Sequence, residues 1–361
     1  MFTLYLLCMM YVGFDQNDLD LDKVVANVRS NEALYNDMEF DQEFVLDSKV
    51  GDDAVPQLIR HQFDRIHYIK QGSMIYLRSR TEGSTIGGEK IQWKDSLGYD
   101  GTTRRAIQND KIANIDEGPF EFVQSPHNLY LKRVGHSFPL SDYLRINGVK
   151  INPGFRDTDS RARYLGEEIV DGFACSKIGV ELWIKNVSKP SEGDYEIIWL
   201  AHDRNYIPIR SIGYAFRYSK TLPIEEFRVV EFKEIEQDVW FPIEVEYRIY
   251  DELQLRKGEQ RLGSVEKYKT NVISLNPKHP VELFRDVPFA PGALVYVMKN
   301  GEILKSYKEP SDRSRNMTSR TPFAIARKSF IFVFVFIIVF LCVTLTVIYH
   351  RRAAIRGRSS S

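Results

Sequence analysis

The chain is poor in cysteine, with only Cys8, Cys175 and Cys342 in 361 residues. Two of these lie in terminal apolar segments, which leaves Cys175 alone in the middle of the chain and excludes an intradomain disulfide there. Burial must therefore hold the fold. Cys175 sits in Phe173-Ala174-Cys175-Ser176-Lys177-Ile178, a strand-like run, and free cysteine is among the most buried residue types, so a structural thiol is expected rather than a nucleophile. Net charge is absent as well: 49 basic residues balance 49 acidic ones, so no whole-chain field draws the protein to nucleic acid. No internal repeat at a fixed period is present.

Signatures of chemistry are also missing. There is no Gly-x-Ser-x-Gly, no Gly-x-x-x-x-Gly-Lys-Ser/Thr and no strand-linked Gly-x-Gly-x-x-Gly, which leaves no motif for a hydrolase nucleophile or a nucleotide cradle. Gly87-Gly88-Glu89-Lys90 falls between strand patterns and reads as a hairpin loop. The seven histidines (His61, His67, His127, His136, His202, His279 and His350) are scattered. His61 and His67 would share a strand face but stand about 20 Å apart by rise alone. His202-Asp203 offers no dyad, because neighbours on a strand point to opposite faces and Asn205 marks a turn. Carboxylates such as Glu225-Glu226 and Glu234 to Asp238 read as solvated strand faces and turns. The expectation is a protein that is not an enzyme and carries neither cofactor nor metal.

Apolar residues are plentiful, at 43% hydrophobic and 12% aromatic, enough for a sizeable core. Two segments stand apart from that core. Phe330 to Tyr349 has no charged side chain, and twenty helical residues span roughly 30 Å, the thickness of a bilayer's hydrocarbon core. A transmembrane helix over 329–350 is expected, with Phe330, Phe336, Ile338, Leu341 and Tyr349 among its lipid-facing anchors and the membrane bilayer as its partner. A polar linker (309–328) precedes it and a short basic tail (351–361) follows. Basic residues bracket both sides, so the positive-inside rule chooses no orientation. At the other end, Phe2 to Phe14 is apolar and breaks into Asp15-Gln16-Asn17-Asp18, the length of a signal-peptide h-region but without a basic n-region. With residues 1–17 as a signal peptide, the folded part lies outside the cytoplasm and the tail inside. Without it, the folded part is cytosolic and the C-terminal helix is an inserted tail anchor.

Residues 18–308 remain as the folded domain. Leu21, Val24, Val25 and Val28 recur at i, i+3, i+4 and i+7, the period of an amphipathic helix, with Asp18, Asp20 and Asp22 at its favourable N-terminal end. Strand patterns follow: Phe40 to Leu46, Arg60 to Lys70 with Ile66 and Tyr68 on one face, a Gln71-Gly72 turn, Met74 to Arg80, and Ile91 to Trp93 before the hairpin dipeptide Asp100-Gly101. Ser125-Pro126 and Pro139 to Leu144 suggest short helices or loop over 125–146, lying on the sheet. Alternation is cleanest in the second half. Ile178, Val180 and Leu182 share one face, and so do Ile243, Val245, Tyr247 and Ile249, as in half-buried antiparallel strands. Tyr195 to Ala201 is apolar on both faces, and Asn300-Gly301 reads as a two-residue hairpin turn.

Gly98-Tyr99-Asp100-Gly101-Thr102, Glu168-Ile169-Val170-Asp171-Gly172-Phe173-Ala174-Cys175, Trp199 through Pro208-Ile209-Arg210, and Asp238-Val239-Trp240-Phe241-Pro242 carry a further signal. Together with the order of elements they resemble the LolA/LolB-like family of bacterial envelope proteins, which includes outer-membrane lipoprotein-sorting proteins. The resemblance implies a mainly β (α+β) fold: a curved antiparallel sheet forming an incomplete β-barrel with short covering helices. It also implies a periplasmic or other extracytoplasmic setting, and a concave face that accepts acyl chains or another apolar ligand, a lipoprotein included. A fixed anchor departs from the carriers of that family and points to a tethered receptor or an envelope scaffold instead of a shuttle. On this reading Tyr68, Ile178, Val180, Val245 and Tyr247 line the concave face, either as ligand contacts or as plain core.

Overall fold

The computed structural model describes residues 16–48, 59–120, 122, 124–132, 139–145, 158–184, 193–299 and 302–310. Its centre is a single sheet of 15 strands in the order β15-β14-β6-β5-β4-β3-β2-β1-β13-β12-β11-β10-β9-β8-β7. The strands are β1 Met38–Ser48, β2 Ile59–Gln71, β3 Met74–Thr85, β4 Lys90–Tyr99, β5 Thr103–Gln108, β6 Ile112–Glu117, β7 Thr158–Val170, β8 Phe173–Ile184, β9 Asp194–Ala201, β10 Ile207–Ala215, β11 Glu225–Glu236, β12 Val239–Tyr250, β13 Leu262–Ser274, β14 Leu294–Lys299 and β15 Glu302–Lys308. The helices are α1 Gln16–Glu32, α2 Leu140–Tyr143, α3 Glu252–Leu255 and α4 Val281–Arg285, with short 3-10 turns η1 Ala33–Tyr35 and η2 His202–Arg204.

The order of strands has a simple origin. β1 to β6 form one meander and β7 to β13 another, each built from hairpins between sequence neighbours. The two are joined where β1 pairs antiparallel with β13, Phe40 opposite Val272 and Phe44 opposite Tyr268. All pairings are antiparallel except β14 with β6, because the chain crosses the sheet through α4 before it returns. The sheet is curved and open. Its edge strands, β15 and β7, do not meet, so the expected incomplete barrel is an open, curved sheet with two free ends.

Turn chemistry matches backbone demand. Gly72 (φ 59) and Gly101 (φ 96) take the left-handed conformation at the β2–β3 and β4–β5 turns, where glycine carries no Cβ penalty. Asp100 secures the second turn by accepting from Thr102 N and Thr103 N at 3.0 and 2.9 Å. These bonds hold its carboxyl down to about 2 in pKa against the desolvation that raises it. The strands flanking Asn300-Gly301 pair as the hairpin reading requires, although those two residues lie outside the described ones.

The two faces of the sheet are covered differently. Alternate residues of β1, β2, β8, β9, β12 and β13 point to the face on which α1 packs, here the inner face, and form two adjoining apolar clusters. On the outer face, α4 and the residues after it lie against β3 to β5. Gly98 is where that layer comes closest: a Cβ there would stand 2.3 Å from Phe284 O and 2.6 Å from Val287 Cγ2. The first of these neighbours is backbone and cannot swing aside. Gly98→Ala is therefore expected to destabilise the protein by about 1–3 kcal/mol, read as a lower urea midpoint with an unchanged slope.

Candidate functional site

The sequence-predicted lining residues come together in part. Ile178 and Val180 of β8, with Val245 and Tyr247 of β12, belong to one inner-face cluster with Ile198, Leu200 and Phe227. Tyr68 of β2 lies in the adjoining cluster with Phe40, Ile75, Tyr99 and Phe241. All five are buried. Period-two alternation puts each of them on the apolar face of its strand, because a strand offers only two faces.

Above this floor lies α1. Val25 and Val28 are fully buried against the cluster and Val24 nearly so, with Leu21 partly covered, the face expected from the sequence. Burying three valines stabilises the contact by roughly 5 kcal/mol before ordering entropy is subtracted. Tyr130, Leu131, Leu140, Tyr143 and Leu144 of the segment between β6 and β7 complete the cover. That segment is turn over Pro126 to Tyr130, with the single-turn helix α2 after Pro139, so Ser125-Pro126 opens a turn and not a helix. Asn128 Oδ1 accepts from Ser125 N at 2.9 Å, a local bond that competes with helix formation. Polar contacts tie the two covering pieces together: Arg29 to Asp142 at 2.8 Å, Arg145 to Asp22 at 3.4 Å, and Ser141 N donating to Glu32 Oε1 at 3.3 Å. Burial raises the Glu32 carboxyl above its usual range, while the bonds from Ser141 lower it in part.

A polar seam crosses the same face, and sequence reading missed it. Lys132 Nζ stands 2.5 Å from Glu266 Oε1 and 4.3 Å from the centre of the Tyr247 ring. Tyr268 donates to Glu266 Oε2 at 2.7 Å, and desolvation followed by the Glu266 charge pushes the Tyr268 hydroxyl well up. Next to it, the Gln42 amide donates to Thr270 Oγ1 at 3.0 Å, and Tyr130 OH lies 2.9 Å from the same oxygen. The inner face therefore joins apolar floor to one amphipathic strip.

The cover is pinned at one residue. Asn205 sits in the left-handed conformation (φ 55) after η2. Its Oδ1 accepts from Trp240 N at 2.8 Å, and its Nδ2 donates to Asp238 O at 2.9 Å and to Asn31 Oδ1 on α1 at 3.2 Å. His127 Nε2 lies 2.8 Å from the Asn205 carbonyl. Tyr35 donates to the Trp240 carbonyl and packs edge-on against His127 at 5.6 Å. One side chain and its carbonyl thus tie α1, the segment after β6, and the turns β9–β10 and β11–β12. The sequence marked Asn205 as a turn residue but not its reach.

Three further histidines have side-chain partners. His67 Nδ1 lies 2.8 Å from Asp41 Oδ1, His279 Nε2 lies 2.9 Å from Glu39 Oε2, and His202 Nε2 lies 2.9 Å from Ser176 Oγ. The Ser176–His202 contact is no exposed dyad, since Ser176 is buried. Cys175 is buried and unbridged, and desolvation first, with nearby carboxylates, pushes its thiol up to about 11, the opposite of an activated nucleophile. Among the described residues no group of His, Cys, Asp and Glu has a metal-holding arrangement. Depressions of about 320 and 600 Å³ lie on the outer face and are lined by mixed charges such as Arg210, Arg228 and Glu246, or Asp41, Arg65 and Arg78. Neither contains any of the five residues. Phe330, Phe336, Ile338, Leu341 and Tyr349 lie outside the described residues, among which no helix is long and apolar enough to cross a membrane.

Known proteins can now be set beside this geometry. No family model and no curated protein matches the chain. Among solved structures it is similar to a DUF1329 family protein from Desulfovibrio piger ATCC 29098, at 12% identity and TM-score 0.37 over 70% of this chain and 91% of that one. A putative outer membrane lipoprotein-sorting protein domain from Vibrio parahaemolyticus is similar at 12% identity and TM-score 0.37, over 74% of this chain and 98% of that one. A LolA superfamily protein from Nitrosomonas europaea follows at 9% identity and TM-score 0.35, over 72% and 96%. The likeness is distant and lies in the fold.

Two results are expected from the pinning cluster. Asn205→Ala should cost about 1–3 kcal/mol, since it strips three side-chain bonds that are part-buried or exposed and keeps a Cβ at positive φ. Asn205→Gly should recover about 1 kcal/mol of that by relieving the backbone. Urea unfolding of both variants checks the ranking. His127 is fully buried, and desolvation lowers its pKa to about 4, only partly offset by the Asn205 carbonyl. The folded value lies below the unfolded one, so the unfolded state binds the extra proton. The neutral imidazole's stability contribution is complete above the unfolded value and falls between about pH 6.5 and 4, by about 3 kcal/mol. The stability difference between the parent and His127→Asn should shrink across that window on acidification.

Proposed function

We propose that the protein is a membrane-tethered extracytoplasmic binding module that holds a lipid, or the lipid part of a lipoprotein, on the inner face of its sheet. The observation that carries this reading is the construction of that face. A broad apolar floor containing Ile178, Val180, Val245 and Tyr247 is roofed by α1, a separate element, with Lys132 and Glu266 at one side. Such a layout suits an amphipathic guest, with acyl chain against the floor and polar head toward the seam. The roof's polar ties to the rest of the molecule are few, and several are exposed. Tethering is supported by the charge-free stretch 330–349 and the extracytoplasmic setting by the apolar segment at 2–14. Catalysis has no part in the proposal.

A second reading is favoured by the depth of burial beneath α1. Val25, Val28, Leu140 and Tyr143 fill the inner face as core residues do, as a structural or interaction protein of the envelope without a small ligand would require.

Lipid retention separates the two. The full-length protein, extracted from membranes in mild detergent and exchanged into a lipid-free one, should keep acyl lipid near one molecule per chain. Val180→Trp, and independently Val245→Phe, should lower retention several-fold while the far-ultraviolet spectrum and urea midpoint show a folded protein. Equal retention in the parent and both folded variants, or none above the detergent blank, would favour the structural reading and end the ligand proposal.

A further inference from the structure

One end of the sheet carries a concentration of exposed apolar side chains that the inner-face reading leaves unused. Elsewhere exposed large apolar residues occur mostly singly, as is ordinary for a protein surface. At the β6–β14–β15 end they gather: Ile112, Ile303 and Leu304 are 45, 55 and 61% exposed, with Tyr307 beside them at 37%. Registers explain the clustering. Leu294 lies opposite Ile112, and Met298 opposite Ile303, so these four share one face of the sheet. The other face of β14 points Val295 into a closed cluster with Ile107, Ala113 and Val287. Leu304 is the extra residue where the β14–β15 register slips between Val297 and Met298.

We infer that this edge is a bilayer-contact surface, seated at the headgroup boundary of the membrane that anchors the chain; the inference rests on the tethered reading above. Connectivity supports it. The chain leaves β15 at Lys308, and only residues 309–329 separate it from the charge-free stretch 330–349. About twenty residues of chain with random-coil statistics span about 25 Å, so the sequence separation alone keeps β15 within reach of the bilayer. Composition fits the location. Lys305, Tyr307 and Lys308 follow Ile303 and Leu304 along this edge strand, Lys308 on the face of Ile303 and Lys305 and Tyr307 on the other, the mix of amphipathic tyrosine and snorkelling lysine that settles at a membrane–water boundary. A second copy of the chain fits the edge less well. Symmetric antiparallel pairing that sets Glu302 against Lys308 also places Lys305 opposite Lys305, and the bulge at Leu304 interrupts the backbone ladder such pairing needs.

The test uses the full chain reconstituted in bilayers with and without brominated acyl chains, which quench tryptophan on contact. Tyr307→Trp adds a reporter at this edge, and Ile169→Trp adds one at β7, the opposite edge, where Ile169 is 78% exposed. The fluorescence that each variant adds over the parent's four tryptophans is the quantity compared. In brominated bilayers it should fall about two-fold or more for the Tyr307→Trp reporter and stay unchanged for the Ile169→Trp reporter, as interfacial seating requires. Adding Ile303→Asp with Leu304→Asp to the Tyr307→Trp chain should abolish the quenching. Carbonate washing of the same vesicles separates the two levels of the claim. Protein that resists carbonate but shows no quenching of the β15 reporter, or equal quenching at both edges, overturns the contact surface and leaves the anchor standing. Protein that washes off overturns both.

Discussion

Everything on the inner face depends on one carboxamide. Asn205 uses both amide hydrogens and its oxygen to join the β9–β10 turn to the β11–β12 turn and to α1, and its carbonyl holds His127. The three buried valines of α1 contribute roughly 5 kcal/mol, well below the backbone entropy of ordering its 17 residues, on the order of 20 kcal/mol, so polar ties between the helix and the sheet matter. The pin is half-buried, and it works by the number of elements it joins, with the buried His127 and Tyr35 packed beside it.

The covered face and the open sheet follow from one another. Fifteen strands that curve without closing leave two edges exposed, and each edge is interrupted. β7 has a bulge near Leu165, with Gly166 at φ 108, and β15 has one at Leu304. Bulges of this kind prevent edge-to-edge aggregation. Curvature draws the inner face together so that a single helix and one short segment can roof much of it. Among the described residues no element roofs the outer face of β11 and β12, and there charges such as Arg228 with Asp171 and Arg248 with Glu246 are exposed or half-buried. Salt bridges at that exposure contribute little to stability.

How much of this was legible beforehand varied with the range of the interaction. Local periodicity carried α1 through Val24, Val25 and Val28, the inner face of β8 through Ile178 and Val180, and that of β12 through Val245 and Tyr247. Turn residues with positive φ, Gly72, Gly101 and Asp238 among them, were readable because only a few side chains tolerate that backbone. The joining of two meanders at β1 and β13 was not readable, since Phe44 and Tyr268 meet only through the global fold. For the same reason Lys132 and Glu266, 134 positions apart, gave no sign of contact, and Asn205 showed itself only as a turn. The incomplete barrel implied by family resemblance takes the form of an open, curved sheet of 15 strands whose ends stay apart.

The central claim is that Asn205 couples α1 to the segment after β6 through a shared set of bonds. Amide hydrogen exchange of the full-length parent and Asn205→Ala, followed peptide by peptide at one pH, tests this directly. The account predicts that protection falls together over residues 16–32 and 124–131, while β2 and β3 keep theirs. Faster exchange confined to residues 202–206, with α1 unchanged, would contradict it.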